Sequence, residues 1–217
     1  RKFIFKPMIK MAMPLMLVSS TAVIATNADS LMLGWLGNVT QVGLYNVGSK
    51  IAILTSFFLL VSNSAVAPKI AALYEKGKIK ELEKMIQKVT RVLGIIALFP
   101  LPIFLLFGDQ ILSFWGKGFS EAYWILIILS VGQIFNLATG ATGQVLIMCG
   151  KEKILGRIKL IEIGSNILLN YILIIHFQAI GAAIATSITL IILNVIKVVY
   201  VKKELGISVI SKNIKII

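Results

Sequence analysis

The stretch LIEIGSNILLNYILII, residues 160–175, decides how this chain is read. It is apolar enough to sit in a bilayer, yet it carries Glu162, Asn166 and Asn170 at i, i+4 and i+8. That spacing stacks the three side chains in one line along a helix. An ionised group at mid-bilayer costs about 2.5–3.5 kcal/mol even on lenient insertion scales. The line should therefore face a bundle interior or a wet cavity, not lipid. Lys159, three residues before Glu162, extends the line and offers it an ion-pair partner near the interface. After a short connection at about 177–179 comes a second apolar run, IGAAIATSITLIILNVIKVVYV, residues 180–201.

Working outward, four more stretches are long and apolar enough to span: about 11–37, 50–67, 92–107 and 123–148. A spanning helix needs about 20 apolar residues, and the shorter runs can borrow from their flanks. The expected architecture is all-α, a polytopic membrane protein of six transmembrane helices forming a single lobe over residues 1–217. Of the 22 lysines and arginines, all but Lys50 and Lys117 then fall on one side. By the positive-inside rule that side is the cytoplasm and holds both ends of the segment.

Composition agrees with this reading. A chain that is 58% hydrophobic and 14% charged, with a mean hydropathy of +0.92, is not a soluble domain. The net charge of +13 sits at span ends without interleaved aromatics. It is explained by orientation and by the anionic inner leaflet, so no nucleic-acid partner is expected. The single cysteine, Cys149, excludes an intrachain disulfide. The first span is too long and too polar for a cleaved signal. The chain begins at Arg1, at the foot of a span, and reads as a piece of a longer protein.

The outer connections, about 38–49, 108–122 and 177–179, are too short to fold separately. The one substantial connection is cytoplasmic, about 69–91. Within it Ile79, Leu82, Ile86 and Val89 repeat as one helical face, with Lys78, Lys80, Lys84 and Lys88 on others. An amphipathic connector lying in the membrane interface is the expectation. Pro100 and Pro102 predict a kink or break in the third span. The fourth span carries its own polar series, Gln133, Asn136, Gly140 and Gln144, and the first holds Asp29 in its outer third. These side chains are candidates to line a transport path. The competing role is glue between helices, worth roughly 0.6 kcal/mol per hydrogen bond on average. Gly181 with Ala185, and Gly34 with Gly37, mark close packing. No phosphate-binding glycine loop with its lysine appears, and no cofactor or metal is expected.

The run Asp29-Ser-Leu-Met-Leu-Gly-Trp-Leu-Gly, followed by Val42-Gly-Leu-Tyr-Asn, resembles the seventh-helix pattern of polysaccharide flippases. Ala67-Pro-Lys-Ile-Ala-Ala-Leu-Tyr resembles the end of that family's eighth helix. Leu146, Gly150 and Lys151, then Asn166 and Asn170, then Gly181-Ala-Ala-Ile-Ala-Thr, are similar to its last three helices. Together the markers cover about 29–187. The family implied is the O-antigen and polysaccharide transporter branch of the multidrug/oligosaccharidyl-lipid/polysaccharide exporter superfamily. The resemblance implies two six-helix lobes around a cavity, of which this chain is the C-terminal one, in a bacterial cytoplasmic membrane. It implies a non-enzymatic flippase for undecaprenyl-diphosphate-linked oligosaccharide, with an N-terminal lobe as partner. An ion-coupled multidrug exporter, using a carboxylate such as Asp29 or Glu162, is the alternative within the superfamily. A membrane glycan polymerase or ligase is the alternative of another class, but Lys50, Asp109, Lys117 and Glu121 are scattered too widely for a catalytic outer loop.

The charge distribution gives a direct test. With Cys149→Ser as background, a single cysteine at Lys117 should react with an impermeant thiol reagent on intact cells, and one at Lys80 should not. The reverse pattern would overturn the topology.

Overall fold

The computed structural model describes residues 27–210, and among these every regular element is helical. Calls that fall earlier or later, including residues 11–26 of the first span and the basic residues Arg1, Lys2, Lys6, Lys10, Lys212 and Lys215, lie outside the described residues. Eight α-helices follow in order: α1 Ala28–Leu36, α2 Val39–Ile53, α3 Phe57–Glu75, α4 Ile79–Ala97, α5 Pro100–Ser113, α6 Tyr123–Ala138, α7 Thr142–Met148 and α8 Glu152–Leu205. Among the described residues, four stretches are long and apolar enough to cross a membrane: Val39–Glu75, Ile79–Ser113, Lys117–Ala138 and Glu152–Leu205.

The last of these is two arms folded back on each other. At Gln178 the backbone leaves the helix with φ 48° and ψ −126°, a sparsely populated conformation for a residue with a Cβ. Such a residue costs about 1–3 kcal/mol and persists only where its surroundings enforce it. Here Ala179 donates its backbone N–H to Gln41 Oε1 of α2 at 3.3 Å, which pins the turn. Gly181 completes it, because a Cβ there would run into the carbonyl of Leu173. At the far ends of the arms Lys151 and Glu204 meet at 3.0 Å. Residues 152–177 and 179–205 are thus antiparallel neighbours, with the turn where the sequence places the connection.

Other bounds differ from the expected ones, each for a local reason. Residues 38–49, read as an outer loop, are mostly the helix α2. Asn38 caps it by accepting the N–H of Gln41 at 3.0 Å, and a short 3-10 turn, Leu54–Ser56, carries it on into α3. Gly48, which reads as loop chemistry, is a packing residue: a Cβ there would lie 3.0 Å from Ile125 Cγ2 of α6. The third span breaks at Leu98 and Phe99, and Pro100 starts α5 at the first position, where its missing N–H is harmless. The fourth span also breaks. Gly140 takes φ +66° between α6 and α7, with its Cα face pressed on Thr90 of α4, so only glycine fits.

Residues 79–91 are the first part of α4, continuous with the apolar turns that follow. Their apolar face is covered by protein. Leu82 and Ile86 are fully buried among Ile70 of α3, Leu146 of α7, and Ile158 and Val201 of the two arms of α8. The chain leaving α8 completes this cover. Gly206 ends the helix in the left-handed conformation, and Ile207 and Val209 are buried in the same cluster. Between them Ser208 is clasped on both sides: its N–H donates to Glu83 Oε1 at 2.8 Å, and its carbonyl accepts from Gln87 Nε2 at 2.9 Å. A second core cluster joins α1, α2, α5, α6 and the turn end of α8 through residues such as Leu33, Leu126 and Ala182.

Gly181→Ala in the complete protein should lower its membrane abundance several-fold, since the Cβ has no room and partial unfolding is cleared in cells. Gly164→Ala, where a Cβ meets nothing within 4 Å, should leave abundance unchanged in the same quantitative blot. Equal abundance of both variants would show the turn to be more pliable than its geometry implies.

Candidate functional site: polar networks inside the apolar bundle

Asp29, on the first turn of α1, is the hub of one network. Its Oδ2 accepts from Tyr45 OH of α2 at 2.5 Å and from Thr186 Oγ1 on the second arm of α8 at 2.9 Å. Its Oδ1 accepts from Asn170 Nδ2 on the first arm at 2.5 Å. Asn170 also donates to Asn166 Oδ1 at 3.0 Å, and Asn166 Nδ2 reaches Thr186 Oγ1 at 3.4 Å. Three donors aimed at one carboxyl group hold both of its oxygens as acceptors. Asn170 is fully buried, and its Oδ1 has no hydrogen-bond partner among the described residues. A buried unpaired amide oxygen costs about 1–3 kcal/mol. Beside a carboxylate it leaves an oxygen-rich corner with an unused acceptor. Such a set suits a small hard cation or a proton; among the described residues no three His, Cys, Asp or Glu gather as a metal group.

A second network lies toward the other end of the bundle. Ser56, in the 3-10 turn between α2 and α3, donates to Gln133 Oε1 of α6. Asn136, one turn further on, donates to the same oxygen at 3.3 Å. Its own Oδ1 accepts from Asn194 Nδ2 on the second arm at 3.2 Å. Lys197 Nζ then donates to Asn194 Oδ1 at 3.3 Å. The helices can approach closely here because Gly132 faces Ser187, whose Oγ donates to the carbonyl of Ile128 at 2.7 Å. Lys159 and Glu162 form an ion pair at 2.6 Å on the first arm. Lys197 therefore stands where the Asn194–Asn136–Gln133–Ser56 chain approaches the Glu162 end of the line that starts at Asn170.

The candidate residues sort as follows. Asn166, Asn170 and Asp29, read from two different spans, are one hydrogen-bonded unit. Glu162 continues their line but pairs with Lys159 rather than with the asparagines. Gln133 and Asn136 are joined, whereas Gln144 is carried off by the break at Gly140 onto α7 and makes no hydrogen bond to either network. Sequence reasoning missed Tyr45, Thr186, Ser56, Asn194 and Lys197. Tyr45 falls in the stretch 38–49 that reads as a loop, and Lys197 falls near the basic end of its span. Thr186 had a legible signal: it lies as far after His176 as Asn166 lies before it, so a hairpin turning there must set the two side by side.

A family model described as MatE matches residues 14–172. The capsular polysaccharide biosynthesis protein CapF of Staphylococcus aureus is 26% identical over 186 residues, 85% of this chain and 47% of CapF. From Haloferax volcanii, the "Probable flippase AglR" is 29% identical over 75% of this chain and 35% of its own length. The same organism's "Probable low-salt glycan biosynthesis flippase Agl15" is 26% identical over 83% of this chain and 38% of its own length. The chain thus spans less than half the length of these relatives. Among solved structures, an outward-facing multidrug resistance MATE family transporter of the MOP superfamily superposes with a TM-score of 0.63 at 19% identity, over 94% of this chain and 46% of the transporter. A MOP superfamily transporter from Pyrococcus furiosus superposes equally well. The fold is that of a transporter half, in a multi-pass membrane protein. With a family match over most of its length and apolar hairpins around buried polar networks, the chain belongs to the MatE family.

Proposed function

We propose that this chain is the C-terminal lobe of a flippase that moves undecaprenyl-diphosphate-linked oligosaccharide from the inner to the outer leaflet of a bacterial cytoplasmic membrane. The observation that carries the reading is the polar line Glu162–Asn166–Asn170–Asp29, held inside apolar helices by Tyr45 and Thr186. A polyprenyl tail can remain in lipid while only the sugar-diphosphate head needs a polar path. The line of amides and carboxylates offers hydrogen-bond partners to hydroxyls, and Lys197 and Lys159 offer charge to a diphosphate near the cytoplasmic mouth. Gln133, Asn136 and, further out, Gln144 belong to the same reading as secondary path residues. Two relatives named as probable flippases, one of them for glycan biosynthesis, and one named for capsular polysaccharide biosynthesis support it.

Energy for the crossing need not come from ATP. If the head carries about two negative charges, an inside-negative potential of 100 mV favours outward movement by about 4–5 kcal/mol. The Asp29 corner supplies a place where a proton or small cation can enter, use the spare Asn170 oxygen, and reset the packing of α1 against α8. Both lobes are needed to close the cavity in this reading, so the partner is an N-terminal six-helix lobe of the same protein.

In the complete protein, Asp29→Asn keeps the shape of the hub and removes its charge. Surface glycan should fall about tenfold or more, the effect of losing roughly 1.4 kcal/mol at the limiting step, with abundance unchanged. Glu162→Ala and Asn166→Leu should also reduce glycan per molecule. A purely structural hub predicts the opposite split: lower abundance, with activity per molecule preserved. Normal glycan from an Asn166→Leu, Asn170→Leu double variant would remove the line from the mechanism.

Residues 1–217 expressed alone should not support glycan export, and co-expression with a matching N-terminal lobe should restore it. Full export by the monomeric 217-residue chain would refute the two-lobe path.

A further inference from the structure

The face of the molecule between α3 and α4 has a feature that the polar path does not use. α3 packs near its end through Ile70, buried with Leu82 and Ile86 of α4, and near its start through Leu59, set against the cluster of Leu93, Ala97 and Leu137. Beside these contacts lies a groove of about 450 Å³, walled by Phe57, Phe58 and Val61 of α3 and by Val89, Val92 and Ile96 of α4. A second groove of about 430 Å³ adjoins it through the shared Phe58 and Ile96 and runs on to Ile103 past the break at Phe99. Lys88 stands at the rim of the first groove. With Lys84 and Arg91 it forms a stripe at i, i+4 and i+7 along α4. Neither Lys84 nor Lys88 is ion-paired among the described residues.

We propose that the first groove binds one acyl chain of an anionic phospholipid, with the head-group phosphate on Lys84 and Lys88. Three observations point to this occupant. The walls belong to membrane-spanning stretches, so the medium that reaches the groove is hydrocarbon. Its one charged lining residue is a cation placed at one end, complementary to a phosphate and not to a neutral chain. From Lys88 to Ile96 the groove follows eight residues of α4, about 12 Å at 1.5 Å each. One leaflet's share of a 30 Å hydrocarbon core is about 15 Å, so a chain starting at Lys88 ends near Ile96. The second groove lies beyond that depth.

The test uses the complete protein in membranes containing phosphatidylglycerol, phosphatidylethanolamine and polyprenyl diphosphate. Val61→benzoylphenylalanine places a photo-crosslinker in the first groove, and adducts are identified by mass spectrometry. A phosphatidylglycerol adduct is expected. It should fall about fivefold with Lys88→Gln and further with Lys84→Gln added, as expected for surface lysines facing anionic lipid. It should recover with Lys88→Arg, and drop when Ile96→Trp fills the groove but not when Ile103→Trp fills the second one. Each variant is compared at equal folded protein, judged by size-exclusion profile. An adduct with another segment of the protein would overturn the proposal by making the groove an internal interface. An adduct with polyprenyl diphosphate, or a phospholipid adduct indifferent to charge at Lys84 and Lys88, would overturn it equally.

Discussion

A carboxylate inside apolar helices cannot be left without partners, and the hydrogen-bond shell of Asp29 is the constraint on which the rest of this lobe depends. Its donors come from α2 and from both arms of α8, so satisfying a single side chain fixes where α1, α2 and the hairpin stand relative to one another. Each bond is modest in a membrane protein, roughly 0.6 kcal/mol on average. The alternative is a desolvated charge, and that penalty is several times larger. The network therefore acts less as an adhesive than as a condition the packing has to meet.

Much of the architecture was legible because hydrocarbon imposes a strong rule on sequence. Length and hydropathy locate the long apolar helices, and the proline pair at 100 and 102 locates a break. The i, i+4, i+8 line marks Asn166 and Asn170 as inward-facing before any neighbour is known. What escaped were features decided by tertiary contact. Residues 38–49 fall between two apolar runs and look like a loop, yet most of them are helical, and Gly48 lets α6 come close to that helix. The amphipathic face at Leu82 and Ile86 has the pattern of an interfacial helix, but a pattern cannot say whether water-lipid boundary or protein lies against it. Here protein does. Asp29 and Asn170 are far apart in the chain, and nothing in periodicity joins them.

The two polar networks have different characters. Around Asp29 there is a carboxylate and a spare amide oxygen, a place that attracts positive charge. Around Lys197 there is an ammonium at the end of a chain of neutral amides, with Glu162 and Lys159 nearby, a place that tolerates negative charge. They are linked along the first arm of α8 by the same side chains that define the line from Glu162 to Asn170. In the proposed flippase reading, these opposite preferences at two depths of one hairpin are the basis for exchanging an anionic head group against a cation, because occupation of either end alters the field at the other.

The long sequence separations in the Asp29 shell set a timetable for the protein's synthesis. Tyr45 follows Asp29 by 16 residues, so at a ribosomal rate of about 5–20 residues per second it arrives within about 1–3 s. Asn170 follows by 141 residues and Thr186 by 157, so the remaining donors emerge about 7–30 s after Asp29. For that interval the carboxylate has a tyrosine for company and no hairpin to receive it. The nascent chain must meanwhile keep α1 near water, near lipid head groups or inside the insertion machinery. The final docking of the two arms, driven by an unmet polar group, then becomes the event that commits the lobe to its native arrangement.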